Sequence, residues 1–190
     1  QQAQSIDSIA VVCRKTDIID IKRLSGENGI TKLTAVAEGG STRQQSVKNG
    51  VALAQGADFI AIHDGARPLV TPQDIDKVVA DAQKHGAAAL GVQVKDTIKV
   101  VDNNGFILST PNRSSLIAIY TPQVFKTDMY MQAMKKAEED NKDYTDDCQL
   151  VEALGKRVLV TVGSAENIKL TTPEDIAVAE SFLKRRGNLK

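Results

Sequence analysis

Five short apolar runs, separated by stretches with helical spacing, constrain this chain more than any other property. Ile9 to Cys13, Leu33 to Ala37, Phe59 to Ile62, Ala87 to Val94 and Val158 to Val162 are four to eight residues long, and several are rich in Val and Ile. Strands buried on both faces read this way. Helical patterns fill the gaps. After Leu33 to Ala37, Ser41-Thr42-Arg43-Gln44 has the spacing of a capping box and leads to Val47, Val51 and Ala54 on one face. After Phe59 to Ile62, Thr71 stands as N-cap with Pro72 at the first helical position, then Ile75, Val78, Val79 and Ala82 line one face and Gly86 closes the helix. The Thr-Pro opening recurs at Thr121-Pro122 and Thr172-Pro173 and predicts a helix start at each. This alternation predicts an α/β fold: a doubly wound, mostly parallel sheet covered on both faces, with ligands at the carboxyl ends of its strands.

A length of 190 residues fits one domain, expected over 1–190. Residues 96–117 break the alternation. Thr97 to Val101, Asp102-Asn103-Asn104-Gly105 and Phe106 to Leu108 predict a β-hairpin, because Asn-Gly supplies the positive φ angles of a tight turn. An arm projecting from a doubly wound sheet is suited to an oligomer contact. Gln1 to Ser5 reads as the tail of a helix entering the Ile9 strand. The domain is therefore expected to lack its first βα unit, on the order of 30 to 40 residues.

Lys plus Arg equals Asp plus Glu at 24 each, so no net field draws nucleic acid or an anionic membrane, and an anionic ligand needs locally placed cations. No basic run occurs before Lys184-Arg185-Arg186. The longest unbroken stretches of apolar side chains, about five residues, fall far short of the roughly 18 that span a bilayer. Cys13 and Cys148, without a CxxC or a signal peptide, suggest a reducing compartment, and the cytoplasm is the expected location.

Three segments bring polar residues to places where strands hand over to loops. In Gly39-Gly40-Ser41-Thr42-Arg43 the paired glycines let a ligand approach the backbone and the following helix offers free N–H groups, although a capped strand-to-helix turn explains the same residues. In His63-Asp64-Gly65-Ala66-Arg67-Pro68, Asp64 stands at a strand end where it could hold a ribose hydroxyl or a magnesium-bound phosphate, with Arg67 close by for an anion. An Asp64–Arg67 pair bracing the turn is the rival. His63 reads as a core residue or one that supports the site, and His85 as a cation at a helix C-terminus. In Asn167-Ile168-Lys169-Leu170-Thr171-Thr172-Pro173, Lys169 can reach a phosphate as a point charge or lie solvated on an edge. Thr145-Asp146-Asp147 is explained by a Thr cap and two acids at the positive end of a helix. Arg113 is either a surface arginine or an anion clamp at the root of the arm.

As an ordered set, G-G-S-T-R-Q-Q-S-V from Gly39, H-D-G-A-R-P from His63, V-K-D-T-I-K from Val94, Y-T-P-Q from Tyr120, T-D-D from Thr145 and N-I-K-L-T-T-P-E-D from Asn167 resemble the 2-C-methyl-D-erythritol 4-phosphate cytidylyltransferases. The resemblance runs from about Ser5 to Leu183. It implies a Rossmann-like nucleotidyltransferase domain whose protruding arm makes a homodimer and helps close the partner's site. It also implies a reaction that joins CTP to 2-C-methyl-D-erythritol 4-phosphate, a small sugar-alcohol phosphate, releases pyrophosphate and uses Mg2+. Carried over by motif, Gly39, Gly40, Ser41 and Ser46 border the cytosine, Asp64 the ribose and metal region, and Lys169 the α-phosphate. Arg67, Thr97, Arg113, Thr121 and Thr145 surround the methylerythritol phosphate, with Thr97 and Arg113 acting across the dimer. Two features depart from the family pattern: its opening Gly-rich loop has no counterpart here, and Ser41 stands where an acid is common. A ribitol 5-phosphate cytidylyltransferase and a non-catalytic nucleotide-binding module remain alternatives. A dinucleotide-dependent oxidoreductase is disfavoured, since no G-x-G-x-x-G follows a strand.

Overall fold

The computed structural model describes residues 1–54 and 56–187. The chain begins with strand β1 (Ile9–Cys13), helix α1 (Ile18–Glu27), strand β2 (Leu33–Glu38) and helix α2 (Arg43–Val51). Strand β3 (Phe59–Ile62), helix α3 (Pro72–His85) and strand β4 (Ala87–Gln93) follow, then a hairpin of β5 (Val100–Val101) and β6 (Ile107–Ser109). The last part comprises strand β7 (Ile117–Lys126), helices α4 (Thr127–Glu139) and α5 (Asp147–Ala153), strand β8 (Leu159–Val162) and helix α6 (Pro173–Arg185).

All five apolar runs form strands. β1 and β2 pair in parallel, and the main sheet has the order β3-β7-β4-β8, in which β4 and β8 are parallel. β7 runs antiparallel to both of its neighbours, so β3, β4 and β8 share one direction and β7 alone opposes it. Period-two alternation gives the sheet two buried faces. Ala87 and Ala89 of β4 and Phe125 of β7 join Tyr130, Met134, Leu150 and Val151 of α4 and α5, with Val47 and Val51 of α2 packed against them. Ala88 and Leu90 of β4 and Val124 of β7 point the other way, onto Val78, Val79 and Ala82 of α3. Those three are the face that the α3 spacing predicts, and Gly86 closes the helix at φ 87°, a left-handed turn that glycine adopts without a Cβ penalty.

Four local expectations fail for identifiable reasons. Thr121-Pro122 does not open a helix; it lies inside β7 with a cis peptide bond. Proline lacks a ladder donor, but the β3 ladder ends at the Ile62–Gln123 pair and the β4 register shifts between Ala89 and Gly91, so no donor is missed at Pro122. The cap of α2 is Thr42, whose hydroxyl accepts from Gln45 N, and not Ser41, one residue earlier. The cap of α5 is Asp146, accepting from Gln149 N, and not Thr145. Gln1 to Ser5 is a turn and not a helix tail; Ser5 N and Oγ both bind Asp76 Oδ1, at 2.9 and 2.6 Å, which fixes the segment against α3.

The hairpin forms as the Asn-Gly signal predicts, with Gly105 at φ 86° and the Asp102 carboxylate accepting from Asn104 N and Phe106 N. Its first strand is shorter than expected, and Thr97 lies outside it. Among the described residues no helix is long and apolar enough to cross a membrane, and both cysteines are free.

Candidate active site

The site is assembled where two loops are stitched together at the carboxyl end of β3. Leu170 N donates to Ala66 O at 2.8 Å, and Arg67 Nη1 donates to Asn167 O at 2.8 Å. Asn167, itself fully buried, donates from Nδ2 to Thr121 O at 2.9 Å and so ties β7 to the same seam. With the loops held in this way, Lys169 Nζ lies 2.9 Å from Asp64 Oδ2. The other oxygen, Asp64 Oδ1, faces Arg43 Nη2 at 3.5 Å. Burial by itself raises the Asp64 pKa, but Lys169 first and Arg43 next more than offset it, so the carboxyl is held below its ordinary range and ionised.

A defined proton arrangement supports Asp64 from behind. His63 Nε2 is 3.1 Å from Arg67 O, and because a carbonyl only accepts, that nitrogen carries the hydrogen. His63 Nδ1 is then the acceptor for the Thr121 hydroxyl at 3.1 Å, and Thr121 Oγ1 in turn accepts from Asp64 N at 3.0 Å. Loss of hydration around the ring pulls the His63 pKa below its ordinary value, which favours the neutral form this pattern requires. His63 therefore acts on the site through Thr121, in keeping with a supporting role.

The glycine loop forms the second part. Gly40 N donates to Ser46 Oγ at 3.0 Å, and Ser46 Oγ donates to Thr42 O at 2.9 Å. A Cβ on Gly40 would fall 2.0 Å from Gln45 Cγ, so the close approach of loop and helix depends on glycine there. Gly39, Gly40 and Ser46 line a cleft of about 430 Å³ together with Arg14 and Lys15 at the end of β1. Ser41 is exposed beside it.

The structure thus brings Asp64, Arg67, Thr121 and Lys169 into one cluster, and joins it through Arg43 to the helix that carries Ser46. Arg67 is 8% exposed and stacks on the Tyr120 ring at 4.2 Å, so it serves the seam as well as any ligand. Thr145 is exposed at the start of α5, where its hydroxyl donates to Gln149 Oε1 at 3.3 Å. Thr97 and Arg113 stand apart. Arg113 Nη1 donates to Lys95 O at 2.7 Å, and among the described residues no hydrogen bond or ion pair joins either residue to Asp64 or Lys169. Sequence reasoning missed Arg43, although a cation in the first turn of a helix is a signal in itself, and it set Asp147 aside as a dipole effect.

A family model described as IspD, 2-C-methyl-D-erythritol 4-phosphate cytidylyltransferase, matches residues 1–185. The chain belongs to this family. Among similar proteins, the 2-C-methyl-D-erythritol 4-phosphate cytidylyltransferase of Desulforamulus reducens is 49% identical over 161 residues, covering 84% of this chain and 69% of that protein. That of Clostridium novyi is 42% identical over 185 residues, covering 97% and 80%. The crystal structure of 4-diphosphocytidyl-2C-methyl-D-erythritol synthase from Anaerococcus prevotii superposes with a TM-score of 0.89 at 32% identity, over 96% of this chain and 81% of that one.

No cluster of three or more His, Cys, Asp or Glu side chains suited to a metal occurs among the described residues. Asp64 is one half-buried carboxylate. Magnesium commonly takes one or two carboxylates and completes its shell with water and substrate phosphates, so this donor set fits.

Proposed function

We propose that this chain transfers the cytidylyl group of CTP to 2-C-methyl-D-erythritol 4-phosphate. The observation that carries the reading is the Asp64–Lys169 pair, 2.9 Å apart at the carboxyl end of β3 and fixed by the stitched loops. An oxygen of the acceptor phosphate forms a bond to the α-phosphorus of CTP, and the bond from that phosphorus to the bridging oxygen of the β-phosphate breaks, releasing pyrophosphate. A phosphate monoester is already anionic near neutral pH, so no general base is needed. Catalysis is alignment plus neutralisation of charge. Lys169, on its exposed side, meets the α-phosphate and offsets the charge that builds there. Gly39, Gly40, Ser41 and Ser46 border the cytosine, while Arg67, Thr121 and Thr145 surround the acceptor. Asp64 would hold Mg2+, which when bound supplies further neutralisation of the phosphates.

In the same reading the hairpin, residues 96–117, is a dimerisation arm, and Thr97 and Arg113 reach the acceptor in the partner's site. Phe106, Ile107 and Leu108 are 71, 62 and 65% exposed, a run of apolar side chains that a second copy would cover. A βα unit bearing the family's Gly-rich loop completes the domain: β1 and β3 each keep one edge without a ladder partner among the described residues, which a further strand would pair. The cytoplasm is the proposed location, supported by two free cysteines.

The test measures pyrophosphate release by the full-length protein from CTP with either methylerythritol 4-phosphate or ribitol 5-phosphate. Faster turnover of the methylerythritol substrate is expected. Preference for ribitol phosphate overturns the substrate, and no release with either overturns the enzyme.

A further inference from the structure

Helix α2 begins with a cation where helices favour an anion. Arg43 is its first residue, and no acid stands in its first turn. The compensation lies outside the helix. Arg43 Nη2 is 2.7 Å from Asp147 Oδ2 and 3.5 Å from Asp64 Oδ1, so one guanidinium nitrogen faces two carboxylates. The Asp147 side chain is 1% exposed, and its second oxygen accepts from the buried Tyr130 hydroxyl at 2.6 Å. Asp147 N donates to Gln123 Oε1 at 3.1 Å. Asp147 is thus held by three elements, and it holds Arg43 in turn. The next residue fastens the same junction: Gln44 Nε2 donates to Lys142 O at 3.2 Å, and Gln44 Oε1 accepts from Tyr144 N at 3.0 Å.

One helical turn therefore connects three parts of the site. Through Ser46 it holds Gly40, through Arg43 it touches Asp64, and through Asp147 and Gln44 it holds the 142–147 segment that carries Thr145. Bracing alone would not call for a charge here, since a largely buried ion pair stabilises a fold no better than well-packed apolar residues. We propose that Arg43, seated by Asp147, is a positioning residue for the transfer, keeping the nucleotide loop, the Asp64 carboxylate and the Thr145 segment in one register. This rests on the function proposed above. Arginine suits the task because its planar fork is fixed in direction, whereas a lysine is a flexible point charge.

The experiment compares wild type, Arg43→Lys, Asp147→Asn and the double variant of the full-length protein, reading kcat, KM for each substrate and the melting temperature. Arg43→Lys keeps the charge and the fold but loses the direction; misplacement on the scale of an ångström can lower kcat on the order of 100-fold, and a loss of about tenfold or more is expected. The double variant should be no slower than the worse single variant, because the two residues act as a unit. Wild-type kinetics in Arg43→Lys, multiplicative losses in the double variant, or a loss of rate that vanishes when the assay is cooled below an altered melting point overturns the proposal. A wild type that releases no pyrophosphate from CTP and methylerythritol phosphate overturns the function together with Arg43's place in it. An active wild type beside an unaffected Arg43→Lys overturns Arg43 alone.

Discussion

The Asp64 cluster and the hairpin root hold residues expected in one active site, yet the chain builds them to different degrees. Asp64 is held by partners from other elements: Lys169 and Arg43 on its two carboxylate oxygens and Thr121 on its amide. At the hairpin root, Arg113 and Thr97 are exposed, the Arg113 guanidinium bonds among the described residues only to the Lys95 carbonyl, and the strands beyond carry open apolar side chains. The first region is organised before any ligand arrives. The second has its direction set by the backbone and its apolar surface open.

The largest effect that would sharpen this contrast is expected at Lys169. Lys169→Ala should lower kcat on the order of 100- to 1,000-fold, as loss of one preorganised donor does, with only a small drop in melting temperature from the lost Asp64 pair. Stopped-time pyrophosphate assays at saturating substrates check it, and a kcat near wild type would remove Lys169 from the chemistry. Next in size is the hairpin surface. Phe106→Asp with Leu108→Asp should shift the sedimentation profile from dimer to monomer, because each buried side chain of this kind contributes about 1.5–3 kcal/mol. An unchanged mass would show that the hairpin is not the contact. Arg113→Ala should raise KM for the acceptor by about tenfold while leaving KM for CTP alone, in line with the loss of one charge-assisted hydrogen bond. Equal changes in both KM values would place Arg113 elsewhere.

The smallest effect concerns pH. The Asp64 pKa is lowered on folding, so its pairing contributes stability that is fully present above the ordinary carboxylate value of about 3.9 and is lost as pH falls through the folded value. Asp64→Asn should melt slightly below wild type at pH 7, and the gap should close below about pH 4. A gap that is constant from pH 7 to pH 3 would mean that the carboxylate is not held by its cations.

What could be read from the residues follows the range of the interactions. The five apolar runs became strands because burial on both faces leaves little choice of residue, and the α3 face and its Gly86 stop are local in the same sense. β7 was missed because Thr-Pro is a helix opening only when the chain around it is free to turn. Here Gln123 to Lys126 pair with β3, and the strand partners override the dipeptide. In the site, Asp64 was identifiable from its position at a strand end and Lys169 from the N-I-K-L-T-T-P-E-D motif that carries it. Their pairing was not, since 105 residues separate them and the Leu170–Ala66 and Arg67–Asn167 bonds decide it. Arg43 with Asp147, 104 residues apart, is legible only once α2 and α5 are seen side by side.

β7 has one more consequence. It leaves the hairpin root just after Arg113 and runs without a break past Thr121, which touches both His63 and Asp64, to Gln123 beneath Asp147. From Ile117 to Thr121 is about 13 Å of extended backbone at roughly 3.3 Å per residue. The root of the hairpin and the Thr121 support of Asp64 therefore share one strand, and a displacement at either end has the same short piece of backbone in common.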